Sequence, residues 1–171
     1  MELVELDVIT EEQWDALGAG EPGAWGGGAP ESLVWRQKER HLVLREADGR
    51  LLAVAEAAIA ELAVEGAGTF DVLAIGGVFV SSSDRGRGLM RAVMGSLLGL
   101  AREMGPERAM LFCLPRLAPV YGSLGFAEIP DPVWADQPAG RVEIPMCAMW
   151  LALHGRPGWP SGRVDVHGLP F

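Results

Sequence analysis

Residues 78–91 read VFVSSSDRGRGLMR. An apolar, β-branched run ends in three serines, and an arginine- and glycine-rich turn then leads into a long apolar segment. The order strand, Arg-Gly-Arg-Gly turn, helix start is what a phosphate-bearing ligand requires. Free backbone N–H groups and the positive end of a helix dipole converge there on one spot. Gly86 and Gly88 let the backbone approach the ligand, and Arg85 and Arg87 add charge-assisted contacts. The alternative is an ordinary strand-to-helix turn whose arginines face solvent. Two other phosphate loops are excluded by their spelling. A P-loop needs Gly-x-x-x-x-Gly-Lys-Ser/Thr, and a dinucleotide fingerprint needs a third glycine where Arg91 stands.

Upstream of the turn, residues 70–80 form a long buried strand interrupted by Gly76-Gly77. Such a pair marks a bulge, a close backbone approach, or a merely relaxed strand. Downstream, Met90, Val93, Met94, Leu97, Ala101 and Met104 recur with a helical period. A second row, Leu89, Ala92 and Leu100, widens the apolar face to that of a helix lying on a sheet, and Gly105-Pro106 stops it. Residues 109–114 are a short apolar strand, so the strand–helix–strand unit predicts parallel pairing with 70–80. Residues 2–9 alternate like a half-buried strand, and Thr10 caps a helix over 11–17. Strands at 41–46 and 51–64 flank the hairpin signal Asp48-Gly49. Residues 18–30 are glycine- and proline-rich, with Trp25 either a lid or a pin to the core. Residues 126–129 begin a strand that Pro130-Asp131-Pro132 breaks. Residues 142–153 complete the sheet, with Pro145 favouring an edge or bulge. The Gly/Pro-rich tail, 155–171, either wraps the domain or joins a partner.

A second motif, residues 115–126, reads PRLAPVYGSLGF. Together with 78–91 it resembles the GNAT superfamily of N-acetyltransferases. The family's acetyl-CoA signature, Arg/Gln-x-x-Gly-x-Gly/Ala after a buried strand, is met by Arg85 and Gly88, with Met90 in place of the last small residue. In the second motif a tyrosine precedes a Gly-Phe, matched by Tyr121, Gly125 and Phe126. Pro115, Arg116 and Pro119 stand where relatives often carry an asparagine. The resemblance implies an α/β (α+β) GNAT fold, with a mixed central sheet of six to seven strands and about four helices. It also implies acetyl-CoA as co-substrate. The cofactor would lie along Val78, Phe79 and Val80, with its pyrophosphate on Arg85, Gly86, Arg87, Gly88, Leu89, Met90 and Arg91. Val80 N–H would stabilise the oxyanion, and Tyr121 would protonate the departing thiolate during direct attack by an amine in a ternary complex. Asp71 is a candidate base, with Glu56 and Glu61 as rivals. Many relatives are dimers, which makes a homodimer the expectation.

Composition bounds the rest. A chain of 171 residues fits one domain over 1–171. A net charge of −9 disfavours nucleic acid and anionic membrane and suits a cationic partner. No apolar run is long enough to span a bilayer, and the acidic N-terminus is unlike a signal peptide. Cys113 and Cys147 are isolated in apolar segments and read as reduced core cysteines, pointing to the cytoplasm. His41, His154 and His167 are scattered, so no metal is expected. The acceptor expected is a small-molecule or peptide amine. Open alternatives are a non-catalytic acyl-CoA-binding module and a regulatory protein with no coenzyme A site.

Overall fold

Residues 51–80 are the spine of the molecule, because two long apolar runs meet at a short turn and pair along nearly their whole length. The computed structural model describes residues 1–20, 32–155 and 158–171. In chain order the elements are β1 (Glu2–Leu6), α1 (Glu11–Ala16), β2 (Arg40–Arg45), β3 (Leu51–Val64), β4 (Gly68–Val80), α2 (Leu89–Ala101), β5 (Arg108–Cys113), α3 (Ala118–Gly122), β6 (Ala127–Glu128), β7 (Val133–Gln137), β8 (Gly140–Glu143), β9 (Cys147–Ala152) and β10 (Val164–Val166). Short 3-10 turns at Ser82–Asp84 and Pro115–Leu117 precede α2 and α3.

All ten strands join one mixed sheet, ordered β6-β9-β5-β4-β3-β10-β7-β8, with β1 and β2 attached beside β3. The 14-residue β3 is long enough to serve two neighbours on one edge: its first half pairs with β2 and its last three residues with β10. The β4–α2–β5 unit pairs in parallel, from Leu73 opposite Ala109 to Ile75 opposite Leu111. This is the crossover expected from the sequence.

Period-2 alternation on β4 divides the core between the two faces of the sheet. Leu73 and Ile75 pack under α2 against Val93, Met94 and Leu97. Val72 and Ala74 face the other way, into a cluster with Met110, Val133, Val164, Val166 and Phe171. Each fully buried leucine or methionine contributes about 1.5–3 kcal/mol, so both faces are anchored well beyond the cost of a single turn. At the N-terminus, Thr10 and Gln13 form a reciprocal capping box that starts α1. The β2–β3 hairpin closes at Gly49, whose φ of +92° suits glycine.

The expected fold class holds, with ten strands among the described residues where six to seven were expected and three α-helices where about four were. Pro145 has no N–H to give a ladder, and the run 142–153 divides there into β8 and β9. The Pro130-Asp131-Pro132 break separates β6 from β7 in the same way. The tail wraps the domain: β10 lies between β3 and β7, and Trp159 packs on Phe70 and Trp150. Trp25 lies outside the described residues.

Candidate active site

Gly76-Gly77 deforms the sheet at one point. Val54 faces Phe79 and Glu56 faces Gly76, so Ala55 alone opposes Gly77 and Val78, which makes a bulge on β4. Beyond Ile75 the parallel ladder to β5 ends, although β4 runs on to Val80 and β5 to Cys113. The two strands splay there. Ser81 N donates to Leu52 O at 3.0 Å, so by alternation the polar groups of Val80 turn away from β3 toward the gap. The Val80 carbonyl indeed accepts from Arg85 Nε at 3.4 Å on that side. The gap opens a cleft of about 1130 Å³ lined by residues of β4, β5, the segment after β5 and the approach to β2.

On the helix side, Gly86 (φ +79°) and Gly88 (φ +76°) bend the turn into α2, and the space where each would carry a Cβ is open. Gly88 caps the 13-residue α2 with no side-chain hydrogen bond, so the first N–H groups of the helix are left without a side-chain cap, which is the arrangement that suits an anion. The turn is held from behind by Asp84, which is buried and pairs with Arg50 (2.7 Å), Arg87 and Ser83 Oγ (3.0 Å). Hydrogen bonding from Arg50 first, then from Ser83 and Arg87, draws the Asp84 carboxyl down to about 2 despite its partial burial. Arg91 reaches across to the carbonyl and hydroxyl of Ser123 and so ties α3 to the start of α2.

Tyr121 projects from α3 into the wall of this cleft, its ring edge-on to Phe126 at 6.1 Å. Burial, and secondarily the neighbouring Cys113, push its phenol up to about 12. Cys113 is likewise raised to about 12, first by burial and next by Cys147, its cross-strand partner. Both cysteines are free thiols, as expected.

The opposite face of the bulge is charged. His41 Nδ1 lies 2.6 Å from Glu56 Oε1, and the two residues are register partners across β2–β3. A Cβ on Gly77 would come within 2.6 Å of the Glu56 carboxyl carbon, and one on Gly76 within 2.6 Å of Lys38 Cε. The two glycines therefore admit two side chains, Glu56 and Lys38, to the floor of the cleft. Lys38 Nζ donates to Arg36 O at 2.8 Å. Burial lowers its pKa, partly offset by the charge of Glu56. Trp35, Phe112 and Phe171 form an aromatic wall beside it, with ring centroids 6.2 and 5.2 Å apart in succession.

Val78, Phe79, Val80, Arg85, Met90 and Tyr121 thus share one cleft, whereas Gly86 and Gly88 do not line it and lie in the chain between its lining residues Arg85 and Met90. Leu89 is buried in the core beneath α2, leaving its backbone as its contribution. The Arg87 guanidinium turns back to Asp84 instead of standing free over the turn. Asp71 is not in the cleft. It lies nine residues before Val80, about 30 Å along an extended strand, beside a smaller hollow with Arg108 and Met104. Its parity matches Leu73 and Ile75 on the helix side, not Gly76. Glu61, the other rival, pairs with His167 away from the cleft. Sequence reasoning missed His41, Lys38 and Asp84. The signal for His41 was the Asp48-Gly49 hairpin, whose register sets it opposite Glu56.

A splayed parallel pair, a bulge before the splay and a glycine-rich helix start beside it define a GNAT-type acyltransferase fold. A family model described as an acetyltransferase (GNAT) domain matches residues 28–129, and the chain belongs to this family. Among solved structures, a GCN5-related N-acetyltransferase from Kribbella flavida is 25% identical with a TM-score of 0.54, covering 75% of this chain. The chain spans only 34% of that protein. The ribosomal-protein-S18-alanine N-acetyltransferase of Escherichia coli is 17% identical, covers 94% of this chain and 99% of its own, and has a TM-score of 0.56. A phosphinothricin acetyltransferase from Sinorhizobium meliloti, solved with AcCoA, is 14% identical over 94% of each chain, with a TM-score of 0.56. No curated protein matches the chain.

Proposed function

We propose that this protein transfers an acetyl group from acetyl-CoA directly to a primary amine, with residues 1–171 acting as one domain. One observation carries the reading. The gap between β4 and β5 connects an anion cradle on the helix side to a carboxylate–imidazole pair on the other, with Tyr121 in its wall. The pyrophosphate would rest on the N–H groups from Gly86 to Met90. The pantetheine amides would add a strand to the free edge of β4. Running back from the turn, the arm meets Val80 first and Val78 second. Val80 thus suits an amide of the arm, and Val78, nearest the bulge, suits the thioester oxygen. The oxyanion role expected for Val80 is accordingly assigned to its neighbour on the same edge.

The acceptor amine enters from the face of Glu56, Lys38 and Trp35, where apolar walls favour an amine with an apolar body. Glu56, held by His41, takes the proton as the nitrogen attacks the acyl carbon. The C–N bond forms, the C–S bond breaks, and Tyr121 gives its proton to the thiolate. Burial raises the phenol, but it raises the basicity of a buried thiolate as well, which keeps donor and acceptor matched. Cys113 lies in the cleft wall, yet its raised pKa keeps it a thiol. This supports direct transfer over an acyl-cysteine intermediate. The acceptor is a small molecule or a peptide. The lining mixes Asp7 and Glu56 with Lys38 and Arg116, and so does not select a polycation as net charge alone suggested.

Among the described residues no helix is long and apolar enough to cross a membrane; a cytoplasmic placement is proposed from the two free cysteines. A homodimer is proposed from the family resemblance and is checked by light scattering. The central test is thiol release from acetyl-CoA over a panel of amines. Turnover that falls about 100-fold in Glu56→Gln, with acetyl-CoA affinity unchanged, is expected. Binding of acetyl-CoA without turnover on any amine would instead favour the non-catalytic module.

A further inference from the structure

Lys38 is the only lysine among the 14 lysine and arginine residues of the chain. At every other basic position stands a guanidinium, which neither loses its proton nor accepts an acyl group under ordinary conditions. The one side-chain primary amine lies in the cleft proposed for acyl transfer, not on the outer surface. Its stem crosses the notch left by Gly76, with Cε 2.6 Å and Nζ 3.0 Å from the missing Cβ. Gly76 is two residues before Val78, so the amine is about 7 Å along the strand from the edge position assigned to the thioester. A four-carbon stem covers that interval by changing rotamers. The ammonium is partly desolvated, and Glu56, a proton acceptor, occupies the adjacent notch at Gly77.

We propose that Lys38 is a self-acylation site: the enzyme transfers an acetyl group from bound acetyl-CoA to Lys38 Nζ when no acceptor fills the cleft. This rests on the acyltransferase reading above. The step balances. The ammonium gives a proton to Glu56, and the neutral nitrogen then attacks the acyl carbon and forms the amide C–N bond. The C–S bond breaks, the thiolate takes a proton from Tyr121, the second nitrogen proton passes to the Tyr121 phenolate, and Glu56 releases the first to solvent, so that one proton is set free overall. The products are one acetyl-lysine and one coenzyme A thiol. The modified side chain is neutral, longer and lodged at the acceptor side, so it closes the acceptor path. Self-acylation is thereby an off-switch that answers to a high ratio of acetyl donor to acceptor amine.

The test incubates the full chain with acetyl-CoA and no amine, then reads intact mass, tryptic peptides and released thiol. The expected result is the gain of one acetyl group, mapped to Lys38, with at most one equivalent of thiol. Labelling should be at least about tenfold faster than in the urea-unfolded chain, the gain that positioning in a cleft supplies. Lys38→Arg should take up no acetyl group while acetyl-CoA still raises its melting temperature. If acetyl-CoA stabilises the wild-type protein but Lys38 stays unmodified, or only the Met1 α-amine is labelled, the self-acylation proposal is overturned and the acyltransferase reading stands. Labelling equally fast in the unfolded chain overturns it too. If acetyl-CoA does not stabilise the protein at all, both fall together.

Discussion

Replacing Gly77 by alanine tests the geometry of the bulge, because two independent penalties meet there. Gly77 has φ +53°, in the left-handed region, where an L residue costs about 1–2 kcal/mol. The new methyl would also lie 2.6 and 2.8 Å from Cδ and Cγ of Glu56, inside van der Waals contact. Overpacking of this kind costs about 1–3 kcal/mol, even though Glu56 has some freedom to move. A loss of about 3 kcal/mol is therefore expected, which lowers the melting temperature by about 6–12 °C for a chain of this size. Two controls bracket it. Gly95 is exposed on α2 with no neighbour near its missing Cβ, so Gly95→Ala should stabilise by about 0.5–1 kcal/mol. Gly76 has no positive φ, and its added methyl meets the flexible end of Lys38 first and the Phe171 backbone carbon at 3.3 Å, so Gly76→Ala should cost about 1 kcal/mol. Thermal unfolding of the three variants gives the ranking, and thiol release gives a second readout. In Gly77→Ala the Glu56 carboxylate must swing off His41, so turnover should fall along with stability. A Gly77→Ala protein that melts within a degree or so of wild type and retains full turnover would refute the packing of Glu56 into the bulge.

Tyr121→Phe should lower kcat about 100-fold, as loss of a general acid does, while acetyl-CoA binding measured by calorimetry stays the same. Gly88→Glu should fold with a modest loss, since the space around its Cβ is open but φ is +76°. Acetyl-CoA should no longer raise its melting temperature, because the new carboxylate opposes the pyrophosphate. The Asp84 carboxyl, drawn down to about 2 chiefly by Arg50, sets an acid limit. A depressed folded-state value gives stability that is present above the ordinary value of 3.8 and lost as pH falls toward 2. Melting curves between those limits should show that loss in wild type and a flatter profile in Asp84→Asn. The same variant should raise the KM for acetyl-CoA, since Arg87 and the turn lose their anchor.

What the sequence disclosed follows the range of each signal. The spine strand, the turn at Arg85–Gly88 and the apolar face of α2 are written in contiguous residues, and the structure has them where the spelling places them. The Tyr121 segment is equally local. Asp71 stands outside the cleft because alternation fixes only which residues share a face, whereas distance along β4 and the end of the β5 ladder decide which of them meet the cleft. A free Arg87 over the turn is what the motif alone implies, but a competitor for its guanidinium, Asp84, is three residues away. Pro145 was legible as a disruption, but a break and a bulge are spelled alike. The tail strand β10 has only three residues, Val164–Val166, and exists because β3 is long enough to offer it an edge.

Gly76-Gly77 shows where local reading ends. Two adjacent glycines in a strand announce that something approaches the backbone, yet nothing near them in the chain says what. The occupants arrive from upstream, Glu56 by the antiparallel register of β3 and Lys38 from the segment that leads into β2. The two approach from different elements and carry opposite charge. Each notch thus has its own occupant, and the floor of the cleft presents a carboxylate and an amine side by side. Substituting one glycine perturbs one of them alone. That separability distinguishes a built cleft floor from a strand merely loosened by glycine: in the loosened case Gly76→Ala would favour the folded state by stiffening the unfolded chain, and Gly77→Ala would lose only the cost of its positive φ and leave Glu56 on His41.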